Sequence, residues 1–181
     1  FLFLLWNLFL ALLPLWVGRA ALCRPRRSWL LAALLLVWLA LFPNAPYLVT
    51  DLGHLKRTAG APLWFDVLLL LSFGVTGLLC AFRTLDEVLA WLCERLGGSV
   101  RFPALCGLSL LASFGIYLGR FLRLNSWDLV TSPRRVALSV TDLLSGPNAF
   151  NALGFSGLFA GFLVLLYWGW SRGLRTNGRP G

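Results

Sequence analysis

The stretch SWLLAALLLVWLALFPNAPYLVTDLGHL, Ser28 to Leu55, decides how this chain folds. Its first 15 residues, Ser28 to Phe42, carry no charge. Two prolines, an Asn, a Tyr, an Asp and the protein's single His then crowd into Pro43–Leu55. The apolar run reads as a membrane span. As an α-helix it rises only about 22 Å, short of a hydrocarbon core roughly 30 Å thick. Arg24, Pro25, Arg26 and Arg27 precede it and resist burial, so the span borrows length from PNAPYLV. Asn44 to Tyr47 are then expected at or just beneath the outer interface. Broken backbone at that depth needs protein or a water-filled cavity around it. Pro43 and Pro46 each remove a donor, and Asn44 can satisfy others with its side chain. The stretch therefore reads as a packed feature rather than a free loop. If a helix resumes after Pro46, then Tyr47, Asp51 and His54 share one face.

Composition gives the same class. Of 181 residues, 59% are hydrophobic and 13% charged, whereas soluble domains run near 45–50% apolar and about 25% charged. The net charge of +9 comes from sixteen Lys+Arg against seven Asp+Glu. The arginines sit at span ends, where they orient helices and meet anionic headgroups. No basic stripe with interleaved aromatics lies outside the spans, so no nucleic-acid partner is expected. Cys23, Cys80, Cys93 and Cys106 form no Cys-x-x-Cys pair and read as free thiols. No Met occurs, even at position 1, and the natural start is expected upstream. Phe1–Val17 lacks a basic leader and a following cleavage site, so it is not read as a signal peptide.

The expected fold is all-α: a polytopic integral membrane helical bundle, one transmembrane domain over residues 1–181. Five spans are read at about Phe1–Val17, Ser28–Phe42, Leu63–Ala81, Phe102–Gly119 and Phe150–Trp170. Two short elements lie between them. TLDEVLAWLCERL (Thr84–Leu96) opens with a capping-box pattern, Thr84 with Glu87, and places Leu85, Val88, Leu89, Leu92 and Leu96 on one face. It reads as a helix on the cytoplasmic surface or as an extension of the third span. VALSVTDLLSG (Val136–Gly146) is too short to span and is placed on the outer face. Gly115–Gly119 and Gly157–Gly161 are G-x-x-x-G pairs, and Gly77 stands four before Ala81. Such faces allow close helix approach within one bundle, with homo-oligomers as the alternative.

Orientation follows from charge. The regions after the first and third spans and the tail hold ten positive residues, and the opposite side holds six. The positive-inside rule puts the ten, and the C-terminus, in the cytoplasm. Two spans separate PNAPYLVTDLGHL from YLGRFLRLNSWDLVTSP (Tyr117–Pro133), so both emerge on one face. That outer-leaflet region gathers Asn44, Tyr47, Asp51, His54, Asp66, Arg120, Arg123, Asn125, Trp127 and Asp128.

The first of these stretches, PLWFD at Pro62–Asp66, and GIYLGRFLRLNSWDLVTSP at Gly115–Pro133 resemble signatures of predicted bacterial membrane proteins called domain of unknown function 1361. The resemblance covers most of the chain. It implies a multi-span membrane protein and carries over no activity.

Three functions fit these residues. In the first, the site binds an anionic lipid-like or phosphate-bearing ligand. Arg120 and Arg123, at i and i+3, offer guanidinium forks suited to phosphate or carboxylate. Asn125 and Ser126 add hydrogen bonds, Trp127 an apolar wall, and Asn44, Tyr47, Asp66 and Asp128 complete the lining. Plain snorkelling with ion pairs to Asp128 or Asp51 is the structural alternative. In the second, the protein is a membrane-embedded enzyme with Asp51 and His54 as acid–base pair, the carboxylate orienting the imidazole. In the third, it is a small transporter subunit. A metal on His54, Asp51, Asp66 and Asp128 would need more than one His at helical spacing, and neither metal nor cofactor is expected. Membrane lipids are the expected partners. No G-x-S-x-G, P-loop, His-Glu-x-x-His or dinucleotide fingerprint occurs.

Overall fold

The structure is a computed structural model and describes residues 2–23, 28–50 and 62–177. The described residues are helical throughout their regular segments, with no strand. Five of these helical segments are long and apolar enough to cross a membrane: Leu4–Cys23, Ser28–Thr50, Leu63–Leu96, Gly98–Phe121 and Ala149–Gly173. The protein is thus an all-α, multi-pass membrane protein. Leu36, Phe102, Val130, Phe150 and Leu158 lie exposed along it, as lipid-facing side chains do. The chain divides into two compact units, Phe1–Trp91 and Leu92–Gly181.

In the first unit, α1 (Leu2–Cys23) runs unbroken through Pro14. It extends past the expected end at Val17, so Arg19 lies in the helix rather than in a turn. α2 (Ser28–Leu41) has 14 residues and needs the length that follows it. Phe42 N–H bonds the Trp38 carbonyl at 2.7 Å, Ala45 N–H the Phe42 carbonyl at 3.2 Å, and Tyr47 N–H the Pro43 carbonyl at 3.0 Å. Pro46 cannot donate to Phe42, so Ala45 takes that carbonyl in a tighter turn. α3 (Asn44–Tyr47) and a 3-10 turn at 48–50 continue the path. Ser28–Thr50 is therefore a 23-residue apolar segment, about 34 Å long at 1.5 Å per residue. Phe42, Ala45, Pro46 and Leu48 are buried. The expected packed stretch is what the chain builds, as far as Thr50.

α4 (Leu63–Leu96) is one helix of 34 residues. Of the two readings of Thr84–Leu96, the extension of the third span is the one observed, and no separate helix starts at Thr84. The capping-box reading gives way because Thr84 is mid-helix and buried. Leu70, Gly74, Gly77, Ala81, Thr84, Leu85 and Val88 line its buried face, a spacing of three and four. Leu96, expected on that face, is exposed at the helix end. A Cβ on Gly77 would run into the Ala45 carbonyl oxygen, and one on Gly74 would stand 3.5 Å from Val49 Cα. These glycines let α4 lie against the backbone of the proline segment.

In the second unit, Gly97 with φ of 96° ends α4, a left-handed position that suits glycine. A 3-10 turn (Gly98–Val100) leads into α5 (Arg101–Phe121). Then come α6 (Asp128–Thr131), α7 (Pro133–Ser145) and α8 (Ala149–Asn177). Pro133 opens α7 at its first turn, where a missing N–H costs nothing. α5 and α8 pack together, and Arg101 Nη2 donates to Tyr167 Oη at 2.9 Å.

The expected role of Gly157–Gly161 in bundle packing does not hold. A Cβ at Gly154, Gly157 or Gly161 would meet nothing within 4 Å among the described residues. α8 instead buries Ala152, Ser156, Ala160, Leu163 and Tyr167. α5 buries Ser109, Ala112 and Ser113. Small residues do mediate the contact, but the row is alanine and serine, and the glycines face away.

Candidate functional site

Asn44 and Tyr47 sit half-buried in α3. Thr50 Oγ1 donates to the Tyr47 carbonyl at 2.7 Å, closing the turn in which the described part of this segment ends. Asp66 lies in the first turn of α4 and is only 9% exposed. Its Oδ1 is buried with no hydrogen-bond partner among the described residues. A carboxylate in the first turn is favoured by the helix dipole, while its burial at a span end is costly without a partner. Asp51 and His54 lie outside the described residues.

Arg120 stands in the last turn of α5. The turn unwinds locally: Leu122 N–H bonds the Leu118 carbonyl at 3.1 Å, and Leu124 N–H returns to the same carbonyl at 3.3 Å. This doubled-back path forces Arg123 to φ of 55°. Among the described residues it is the one non-glycine in the left-handed region. Such backbone costs an L-residue roughly 1–2 kcal/mol. Leu124 is buried and anchors the loop, while Arg123 is exposed.

The next residues form a reciprocal cap. Asn125 N–H donates to Asp128 Oδ2 at 2.7 Å, and Asp128 N–H donates to the Asn125 carbonyl at 2.9 Å. Asp128 therefore holds the loop shape, and Trp127 projects half-exposed beside it. The site residues thus form two local groups, one in each unit. Asn44, Tyr47 and Asp66 belong to the first, and Arg120, Arg123, Asn125, Trp127 and Asp128 to the second.

Two polar features escaped the sequence reading. In the first unit, Trp38 Nε1–H donates to Thr84 Oγ1 at 2.8 Å, and Thr84 Oγ1–H donates to the Pro14 carbonyl at 3.2 Å. One hydroxyl thereby joins α1, α2 and α4. A Pro inside a helix and a lone Thr among leucines were the available signals. In the second unit, an open groove of about 790 Å³ is lined by Tyr117, Phe121 and Phe155 together with Ser139, Asp142, Asn148 and Asn151. Its polar residues come from the short amphipathic α7, which the sequence reading placed on the outer face, and from the start of α8, which it read as the edge of the fifth span.

The family whose description reads "Protein of unknown function (DUF1361)" matches residues 6–166. The chain belongs to this family. The match spans all five apolar segments at least in part and both polar groups, so the family is defined over the transmembrane body itself. No curated protein and no solved structure matches the chain.

Proposed function

We propose that this DUF1361 protein binds an anionic, phosphate-bearing or lipid-like ligand through Arg120 and Arg123. The observation that carries the reading is Arg123 itself. An exposed arginine in the left-handed region pays a backbone cost that glycine would avoid. Strain of this kind concentrates where a side chain must be aimed. The Asn125–Asp128 cap supports the same reading, because it fixes the shape of the loop that follows Arg123. The α5 dipole opposes an anion at this helix end, so binding rests on the guanidinium groups. Their fork geometry suits phosphate oxygens. In this reading the arginine loop lies at the non-cytoplasmic interface, with the C-terminus in the cytoplasm.

The test uses the full chain in phosphatidylcholine nanodiscs doped with phosphatidylglycerol, read by native mass spectrometry. Preferential retention of phosphatidylglycerol, lost about tenfold in Arg120→Ala/Arg123→Ala, is expected from removing charge-assisted hydrogen bonds. Equal retention by parent and double variant sinks the proposal. Chemical turnover of the bound lipid that disappears in His54→Ala would instead place an enzyme at this site.

A further inference from the structure

The groove in the second unit has a chemistry different from the arginine loop. Its three rings form one cluster: Tyr117 and Phe121 centroids are 4.5 Å apart, Tyr117 and Phe155 5.7 Å, Phe121 and Phe155 5.6 Å. Tyr117 is buried and fixed, while Phe121 is 58% exposed and offers an open face. Ser139, Asp142, Asn148 and Asn151 line the same groove. Asp142, Asn148 and Asn151 are exposed, so their polar groups are available to a ligand.

The backbone holds these residues in register. Gly146 stands at the corner between α7 and α8, and a Cβ there would lie 2.7 Å from the Asp142 carbonyl oxygen. Ala149 N–H bonds the Gly146 carbonyl at 3.1 Å, and Ala152 N–H bonds the Asn148 carbonyl at 3.0 Å. The tight corner presents Asp142 and Asn148 on either side of one turn. Tyr117 lies one turn before the end of α5, and Asn151 one turn or less into α8. The groove therefore opens where α5 ends and α8 begins.

We infer that this groove binds the sugar ring of a glycosyl ligand. Among the described residues its lining includes no Lys or Arg, so a phosphate or carboxylate finds no counter-charge among them. An ammonium group has donors and no acceptor, and would leave the two amide NH2 groups of Asn148 and Asn151 unanswered. Vicinal hydroxyls both donate and accept, which matches two amides, a carboxylate and a hydroxyl. The apolar face of a pyranose fits the exposed ring of Phe121, as an amphipathic ligand fits a mostly apolar pocket with a few fixed polar groups. The inference does not rest on the arginine reading.

The ring can belong to a glycolipid headgroup or to a free sugar, and two arms separate them. The full chain, purified in a non-glycosidic detergent, is placed in phosphatidylcholine nanodiscs doped in turn with monoglucosyl or monogalactosyl diacylglycerol, phosphatidylglycerol and phosphatidylethanolamine. Native mass spectrometry reads the retained lipid. In parallel, glucose and galactose are titrated with saturation-transfer NMR. Retention of a glycosyl lipid about tenfold above phosphatidylethanolamine and phosphatidylcholine assigns the groove to a headgroup. Saturation transfer to a free sugar assigns it to a soluble ligand. In either case Asn148→Leu/Asn151→Leu lowers the signal about tenfold, as loss of two hydrogen bonds requires, while Arg123→Ala leaves it unchanged. Both asparagines are exposed, and an unchanged melting curve confirms that the variant is folded. Preference for phosphatidylethanolamine, no retention of a glycosyl lipid above phosphatidylcholine with no sugar signal, or glycosyl binding indifferent to the double variant would each overturn the inference.

Discussion

The Trp38 indole donates to the Thr84 hydroxyl at 2.8 Å, across 46 residues of sequence. The Thr84 hydroxyl in turn donates to the Pro14 carbonyl at 3.2 Å. Gly18 makes room for this arrangement, since a Cβ there would lie 2.7 Å from Thr84 Oγ1 and 3.1 Å from Trp38 Cδ1. Three helices otherwise built of leucine and alanine thus meet at one hydroxyl. Leucine surfaces gain little by leaving lipid for each other, so such polar contacts and close packing carry specificity.

Thr84→Val keeps the volume and removes both hydrogen bonds, leaving a buried indole N–H without its acceptor. Unfolding in mild detergent should show a loss of about 1–3 kcal/mol, and Thr84→Ser should recover most of it. A Val variant as stable as the parent would mean that the contact is incidental to folding.

Gly77 and Gly161 make a paired test of glycine function. Gly77→Ala must push a Cβ against the Ala45 carbonyl and Leu48, and should destabilise by roughly 1–3 kcal/mol through overpacking. Gly161→Ala meets open space among the described residues and should be neutral or stabilising by up to about 1 kcal/mol from helix propensity. Thermal melts of both variants in one detergent decide the matter. The reverse order of stability would contradict the packing described for the two helices.

Arg123→Gly separates backbone strain from charge. Glycine relaxes the left-handed residue and should raise stability by about 1 kcal/mol, while anionic-lipid retention falls. Arg123→Ala should lose the same retention without the gain in melting temperature. Equal melting temperatures for the two variants would remove the strain argument.

Glu87 joins two arginines, Arg83 Nε at 3.0 Å and Arg19 Nε at 3.4 Å. Both arginine side chains are more than half exposed, so solvent screens the pairs. Glu87→Gln should therefore cost no more than about 1 kcal/mol in 150 mM salt. The difference from the parent should shrink further as salt rises, which melting curves across a salt series will read.

Much of this molecule was legible in its sequence. Apolar runs of span length specify helices crossing a bilayer, because lipid offers no partner to unpaired backbone. The arithmetic on Ser28–Phe42 required Pro43–Tyr47 to be packed, and within that stretch Ala45 and Pro46 are buried. The two motif stretches also marked the family. Periodicity served less well at Thr84–Leu96, where a capping-box pattern sits inside a helix. A cap is decided by whether the preceding turn has free N–H groups, and Phe82–Leu85 has helical neighbours on both sides.

Which helix faces meet was beyond the sequence. Gly157–Gly161 and the Ala152–Ser156–Ala160 row are both small-residue faces of α8, and only the packed α5 surface selects between them. The Thr84 hydroxyl, the Arg123 backbone and the Tyr117–Asn151 groove have the same origin. Each joins residues from separate turns or helices, and their mutual geometry follows from close packing in three dimensions. Sequence by itself determined the number and class of spans, since that is a balance of each segment against lipid. Tertiary structure alone decided the contacts between them, since every face of a lipid-embedded helix is apolar and only shape distinguishes one from another.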